Sequence, residues 1–478
     1  MQTGILAFGG YVPRARLQRQ VIAAAHSWFT PALKGLGRGE RAMANWNEDS
    51  ITMAVEAGRD CLGGQGSSGL DAVIMGSTSY PFKDRQNAGV VADALTLGSD
   101  LMTLDIGGSQ RAGTSALMAA LQLGGSALVV SAEKRRTKPG NPLELTTGDA
   151  AAAFHVGQGD VVACYLGGAS RAVDLVDHFR GENGEFDYTW EERWVRDEGY
   201  LKIVPDTVAK ALQNAGVTID QVSTFCFPVP SARIASAVAR KVGLAPEALA
   251  DNLQGSCGEA GASHPLVMLA HTLDNADPGD IILVVGFGQG SDALLFQVTD
   301  AIRGQQGKGG ITGCLKQGYR EENYHKFLAF NQLIEMEQGI RSEVDKNTGL
   351  TTLYRNKDMV QGLIGGRCTS CNTKQFPKSN ICANPECGRF DSQVPEPFAD
   401  KSAALNSFTG DGLTFSPNPP HYYGMVQFEG GGRLMSDITD VTPDAELKIG
   451  MSMRMVFRVK DYDHQRGFRR YFWIATPA

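Results

Sequence analysis

With 478 residues, 42% of them apolar and 20% charged, the chain exceeds what one hydrophobic core organises and reads as roughly two to four globular domains. A formal net charge of -7 with no basic block excludes nucleic acid as the main partner. No apolar run approaches the ~18 residues of a membrane span.

The N-terminal stretch "MQTGILAFGGYVPRARL" reads as a strand and a turn, not a secretory leader. Through residue 300 the chain is rich in Gly and Ala. Short β-rich runs ("DAVIMGST" at 71–78, "SALVVSAE" at 126–133, "VVACYLG" at 161–167, "STFCFPV" at 223–229, "IILVVGFG" at 281–288, "ALLFQV" at 293–298) alternate with helical spacing, as in "ITMAVEAGRDCL" (51–62) and "ARIASAVARKVGL" (232–244). That alternation predicts layered α/β structure with buried sheets. Its recurrence predicts an internal duplication, with halves at 1–160 and 161–300. Within it, "LDIGGSQRAGTSALMAAL" (104–121) runs strand, glycine turn, helix, the local geometry that displays a nucleophile in many enzymes. Residues 301–355 turn polar and helix-like and read as a connector. From 356 the composition changes again, to a cysteine cluster (356–395) and then to Pro-rich turns and alternating strands (396–478), an all-β module.

In "RCTSCNTKQFPKSNICANPECGRF", Cys368 and Cys371 are two residues apart and Cys382 and Cys387 are separated by four. Two such knuckles place four thiolates around one tetrahedral zinc, and a closed shell of four leaves no open position, so the zinc is expected to be structural. The other five of the nine cysteines are scattered, which suits a reducing cytoplasm.

With these elements in order, residues 1–300 resemble the thiolase superfamily, in the branch of 3-hydroxy-3-methylglutaryl-CoA synthase and β-ketoacyl synthase III. The pieces that carry the likeness are "VIMGSTSYP" (73–81), "DIGGSQRAGTSAL" (105–117), "TTGDAAAAFHVG" (146–157), "ERWVRDEGYLK" (192–202), "GEAGASHPLVMLAHTL" (258–273) and "PGDIILVVGFGQGSDALLF" (278–296). Residues 356–478 resemble the zinc-ribbon and OB-fold domain associated with acyl-CoA enzymes. The resemblance implies a duplicated five-layer α/β/α/β/α fold and a homodimer or higher homo-oligomer. It also implies an acyl-CoA thioester as substrate, met where the halves join; the charge balance and the short apolar runs add the expectation of no nucleic-acid or membrane partner.

The same likeness exposes departures. The family's nucleophilic Cys is followed at fixed offsets by residues that match Gly113, Thr114, Ala116 and Leu117, which puts Gln110 in the Cys position. An amide forms no thioester, so the covalent route is closed at that position. The family's catalytic Glu falls on Thr78, its His on Pro228 and its later Asn on Glu259. Glu259 and His264 are then candidates for base and orienter in either order, and Ser109 and Cys257 for a rewired nucleophile. "GFGQGSD" matches the family's oxyanion loop, with Gly286, Gly288 and Gly290 as its glycines. The expected activity is water-assisted, non-covalent retro-Claisen cleavage of a 3-oxoacyl-CoA, with aryl groups among the acyl parts, to a carboxylic acid and acetyl-CoA. The alternatives are a hydroxymethylglutaryl-CoA synthase-like acyltransferase, a retro-aldolase, a decarboxylase, or a non-catalytic acyl-CoA-binding scaffold.

Overall fold

The computed structural model describes residues 2–63, 69–229, 231–305, 309–343 and 345–478. These gather into two units. The first comprises the chain up to Ala44, Asp49–Gly89 and Ser99–Leu333; the second comprises Asn45–Glu48, Val90–Gly98 and Ile334–Ala478.

A nine-stranded sheet runs through the first unit: β1 (Gln2–Tyr11), β2 (Ala72–Gly76), β3 (Met102–Ile106), β4 (Ala127–Glu133), β5 (Ala150–Gly159), β6 (Ala163–Ala172), β7 (Thr224–Cys226), β8 (Ile281–Phe287) and β9 (Gly290–Val298). Their order across the sheet is β7-β8-β9-β6-β1-β5-β4-β2-β3. Reading outward from β1, an antiparallel β5 is followed by β4 and then by β2 and β3, parallel to β4. Reading outward from β6, an antiparallel β9 is followed by β8 and a parallel β7. The second series ends where Phe225 bridges Leu249, in the place of the fifth strand. The same connection is thus made twice, and the two series meet where Gly4 and Ile5 of β1 pair with Cys164 and Ala163 of β6. Strands β2, β4 and β8 are buried along their whole length, as their near-continuous apolar runs require.

Helices complete the layers. Helix α1 (Ser50–Leu62) covers the first series; its start is fixed by Asp49 and Thr52 in a reciprocal capping box. Helix α3 (Val204–Ala215) covers β6 and β9, with α4 (Ala232–Val242) beside it. Between the two series lie α2 (Ala112–Leu123) and α5 (His264–Leu273), each packed on strands of both. These are the five layers that the family resemblance implies. In the middle layer the elements touch at backbone distance: a Cβ on Gly113 would lie 2.3 Å from the carbonyl oxygen of Ala262 and 2.9 Å from Ser131 Oγ. Gly113→Ala is therefore expected to overpack this seam and cost about 1–3 kcal/mol, read as a lower urea midpoint at unchanged slope. Residues 310–333, predicted as part of a connector, belong to this unit instead. Tyr319–Glu321 pairs in parallel with Ala15–Gln18, and Ile311 is wholly buried.

The second unit contains two small sheets. In one, β10 (Ile364–Cys368) lies between β11 (Lys374–Gln375) and β12 (Gln393–Pro397). The other runs β15-β14-β13-β16-β17, from β13 (Ala403–Asp411), β14 (His421–Phe428), β15 (Arg433–Asp437), β16 (Ser452–Asp463) and β17 (Phe468–Pro477), all antiparallel. A bridge from Ile438 to Ala475, and the bond from Thr439 N–H to the Ala475 carbonyl (2.9 Å), bring its two ends together into a small barrel around Val426, Met455, Phe457 and Trp473. No helix among the described residues is long and apolar enough to cross a membrane.

Candidate active site

Strand β3 ends at Ile106, Gly108 takes a positive φ of 78°, and α2 begins at Ala112, so Ser109 and Gln110 stand on the turn between them. The turn is clamped from behind. Asp292 of β9, almost wholly buried, accepts from Arg111 Nη1 (2.8 Å), Ser170 Oγ (2.7 Å), Thr114 Oγ1 (3.0 Å) and Ser115 Oγ (2.6 Å). Four donors on one carboxylate lock the first turn of α2 onto the second series of strands.

Gln110 points its amide into a polar cluster. Its Nε2 donates to His178 Nε2 at 3.0 Å, and His178 Nδ1 lies 2.7 Å from Asp177 Oδ2. An amide N–H on Nε2 leaves the imidazole proton on Nδ1, where Asp177 accepts it. The amide oxygen of Gln110 is buried and has no partner among the described residues. His178 sits on a short clip in which His178 and Phe179 pair with Thr189 and Tyr188. Arg135 holds that clip: its Nη2 and Nε reach Asp187 Oδ2, and its Nη1 lies 3.3 Å from Glu259 Oε2. Burial works against the charge of Arg135, but Asp187 and Glu259 more than offset it, so its pKa rises. Asp187 is shifted the other way; burial opposes its charge, and Arg135 nonetheless holds the carboxyl below the usual aspartate range. A further carboxylate, Glu133 at the end of β4, accepts both the N–H of Thr78 (2.5 Å) and its hydroxyl (3.0 Å). A carboxylate from β4 therefore lies against Thr78, the residue onto which the resemblance carries the family's catalytic Glu. Burial raises the pKa of Glu133, partly opposed by the Thr78 N–H.

The sequence candidates divide. Gln110 and Glu259 are in this cluster. His264 is not available as a base: it is 0% exposed, its Nδ1 accepts the Ala260 N–H (3.1 Å), and its Nε2 donates to the Asn252 carbonyl (2.8 Å). Burial lowers its pKa and keeps it neutral. It fixes the loop ahead of α5. Cys257 is also withdrawn from chemistry. It is buried, its thiol lies 3.4 Å from the carbonyls of Leu253 and Gly258, and burial pushes its pKa up to about 12. Ser109 is committed to the scaffold, donating to the Gly288 carbonyl at 2.7 Å. In the glycine loop, Gly288 serves the turn itself. Gly288 gives its N–H to the Gly290 carbonyl (3.0 Å) inside the turn, Gly286 is paired with Asp292 in the ladder, and Gly290 holds a φ of 120°. A Cβ at 288 would meet Ser109 Oγ at 2.7 Å and Gln110 N at 2.8 Å, so glycine is what lets the loop reach the elbow.

Asp177, His178, Arg135, Asp187 and Glu133 escaped sequence reasoning. The available signal was the Asp-His pair in "DLVDHFRGENGEFDYTW" (174–190), but neighbours in a strand face opposite ways, so adjacency does not read as a dyad. Here Asp177 precedes the two-residue strand and turns back onto its neighbour.

In the second unit, Cys368, Cys371, Cys382 and Cys387 bring four sulfurs within 4.8 Å of one another. Cys368 and Cys387 are 3.9 Å apart and Cys371 and Cys382 3.5 Å. A tetrahedral zinc with bonds of about 2.3 Å needs sulfur–sulfur edges of about 3.8 Å, so this donor set fits that ion.

Comparison with known proteins agrees with this architecture. Residues 212–296 match the family described as 3-oxoacyl-[acyl-carrier-protein (ACP)] synthase III C terminal, and residues 403–458 match the ChsH2 C-terminal OB-fold domain. The hydroxymethylglutaryl-CoA synthase of Thermococcus gammatolerans is 30% identical over 316 residues, covering 63% of this chain and 88% of the relative. That of Methanopyrus kandleri is 30% identical over 312 residues, covering 63% and 89%. Among solved structures, MvaS in complex with 3-hydroxy-3-methylglutaryl coenzyme A superposes with a TM-score of 0.60 at 19% identity, covering 70% of this chain and 92% of that one. An HMG-CoA synthase complexed with CoA gives 0.58 at 16% identity, covering 83% and 100%.

Proposed function

This chain belongs to the hydroxymethylglutaryl-CoA synthase family of the thiolase superfamily, and from that membership we propose that it cleaves the C2–C3 bond of a 3-oxoacyl-CoA with water and without a covalent acyl-enzyme. The observation that carries the reading is the amide at the tip of the elbow. The two rival nucleophiles, Ser109 and Cys257, are tied into the scaffold. Gln110 contributes hydrogen-bond donors where the thioester oxygen gains charge as the bond breaks, a role worth about 3–4 kcal/mol per donor in acyl-transfer sites. Water adds to the C3 carbonyl, the C2–C3 bond breaks, the acid departs, and the thioester enolate takes a proton at C2 to become acetyl-CoA. We read aryl as well as alkyl 3-oxoacyl groups as substrates, a homo-oligomer as the working form, the cytoplasm as its location, and one structural zinc on the four cysteines of the second unit.

Incubation with alkyl and aryl 3-oxoacyl-CoA thioesters in heavy-oxygen water tests this. The expected products are acetyl-CoA and an acid carrying one heavy oxygen, with the intact protein mass unchanged. A stable acyl adduct on the protein, or no product from any thioester, would sink the reading. Gln110→Ala is expected to lose roughly 10²–10³-fold in kcat.

A further inference from the structure

We infer that His178 is the catalytic base of this site and Asp177 its positioning residue; this rests on the reading that the site opens a 3-oxoacyl-CoA thioester without covalent capture. Three observations carry it. His178 presents Nε2, 3.0 Å from the Gln110 amide, at the elbow where the thioester would be held. Its other nitrogen is bound by Asp177 at 2.7 Å, which fixes the tautomer whose Nε2 lone pair faces the site. The side chains are 17% and 12% exposed, so both reach solvent, yet they are tied down on their clip by Arg135 and Arg180 through Asp187. The other bases near the elbow are engaged: Glu259 lies against Arg135, and Glu133 is held by Thr78.

The proton accounting closes on this one imidazole. Nε2 takes a proton from water as the oxygen bonds to C3. The resulting alkoxide collapses and the C2–C3 bond breaks, its electron pair passing into the thioester enolate. The imidazolium then returns its proton to C2. Water is the only co-reactant, the acid and acetyl-CoA are the products, and His178 ends neutral. When the substrate binds, the Gln110 amide exchanges its bond to Nε2 for one to the thioester oxygen, which frees the lone pair for the water.

The same imidazole must also remove a proton from C2 of acetyl-CoA, so wild-type protein in heavy water is expected to exchange the methyl hydrogens of acetyl-CoA, followed by mass or proton NMR. His178→Ala and His178→Gln are expected to lose at least ~100-fold in both exchange and cleavage with an unchanged thermal midpoint, and added imidazole should restore part of the activity of the alanine variant. Asp177→Asn should lower kcat roughly 10²–10⁴-fold with KM within a factor of two or three, without imidazole rescue, the pattern of a lost tautomer rather than a lost binding contact. Cleavage that survives in both His178 variants overturns the assignment while leaving the proposed reaction standing. So does exchange that survives in them but fails in Glu133→Gln. Exchange that depends on His178 in a protein that cleaves no 3-oxoacyl-CoA supports the base and overturns the reaction. Wild type that neither exchanges nor cleaves overturns both.

Discussion

Cys371→Ser, or removal of zinc by a strong chelator, is expected to unfold the segment from Ile364 to Pro397. The three-stranded sheet there has strands of two to five residues, and two of its four cysteines, Cys368 and Cys382, are among the few side chains it buries. A sheet of that size has too little apolar surface to offset the entropy of ordering it. In small zinc modules the ion contributes about 10–16 kcal/mol of apparent folding free energy at neutral pH. With the zinc gone the segment has no comparable source, and its amides should exchange with solvent at rates near those of an unfolded chain. The check is hydrogen exchange with and without chelator, with metal analysis giving one zinc per chain. A segment that stays protected after the metal is stripped, or protein that purifies with full protection and no zinc, would refute the assignment.

The second large effect is expected from Arg135→Met. Methionine matches much of the volume but takes the cation from beside Glu259 and leaves Asp187, whose side chain is 5% exposed, with Arg180 alone. Removing one partner of a buried ion pair costs about 3–5 kcal/mol because the other charge stays buried. The clip that presents His178 hangs on Asp187, so activity should fall together with stability, by at least ~100-fold in kcat, because a reacting group misplaced by about 1 Å costs that much. The pH dependence gives a sharper check. In the wild type Asp187 has a depressed pKa, so the pair contributes fully above the pKa of an unfolded aspartate, ~3.9, and this contribution is lost as pH falls through the lower folded value. In the variant Asp187 keeps only Arg180, so its carboxyl is held less far below the unfolded value, and its smaller contribution is lost at a higher pH than in the wild type. An Arg135→Met protein with wild-type stability and unaltered acid behaviour would contradict the clamp.

Much of this was legible in the chain. The family resemblance, carried by the offsets of Gly113, Thr114, Ala116 and Leu117, placed Gln110 in the Cys position of the elbow, and a strand–turn–helix is local enough for such a short motif to mark it. The cysteine spacing marked the four-sulfur cluster for the same reason. The recurrence of strands and helices announced a duplicated fold, although the fifth strand of the second series shrinks to a single bridge at Leu249.

The rest of the site was hidden because it depends on long-range placement. His264 looked like a base because it follows a matched loop. Folding turned both ring nitrogens onto backbone groups four and twelve residues away, and no sequence pattern reports that. Glu133 is on a strand that reads only as core, yet its carboxylate crosses to Thr78, 55 residues earlier in the chain.

The sequence, through its likeness to a known family, placed Gln110 where that family carries a nucleophilic Cys, and the spacing of the four cysteines suits zinc. Only the tertiary structure brings an imidazole to the Gln110 amide. His178 lies 68 residues from Gln110, and the two are joined by a clip whose position is held by buried ion pairs between distant segments. Interactions of that range are selected by packing and burial, not by spacing along the chain.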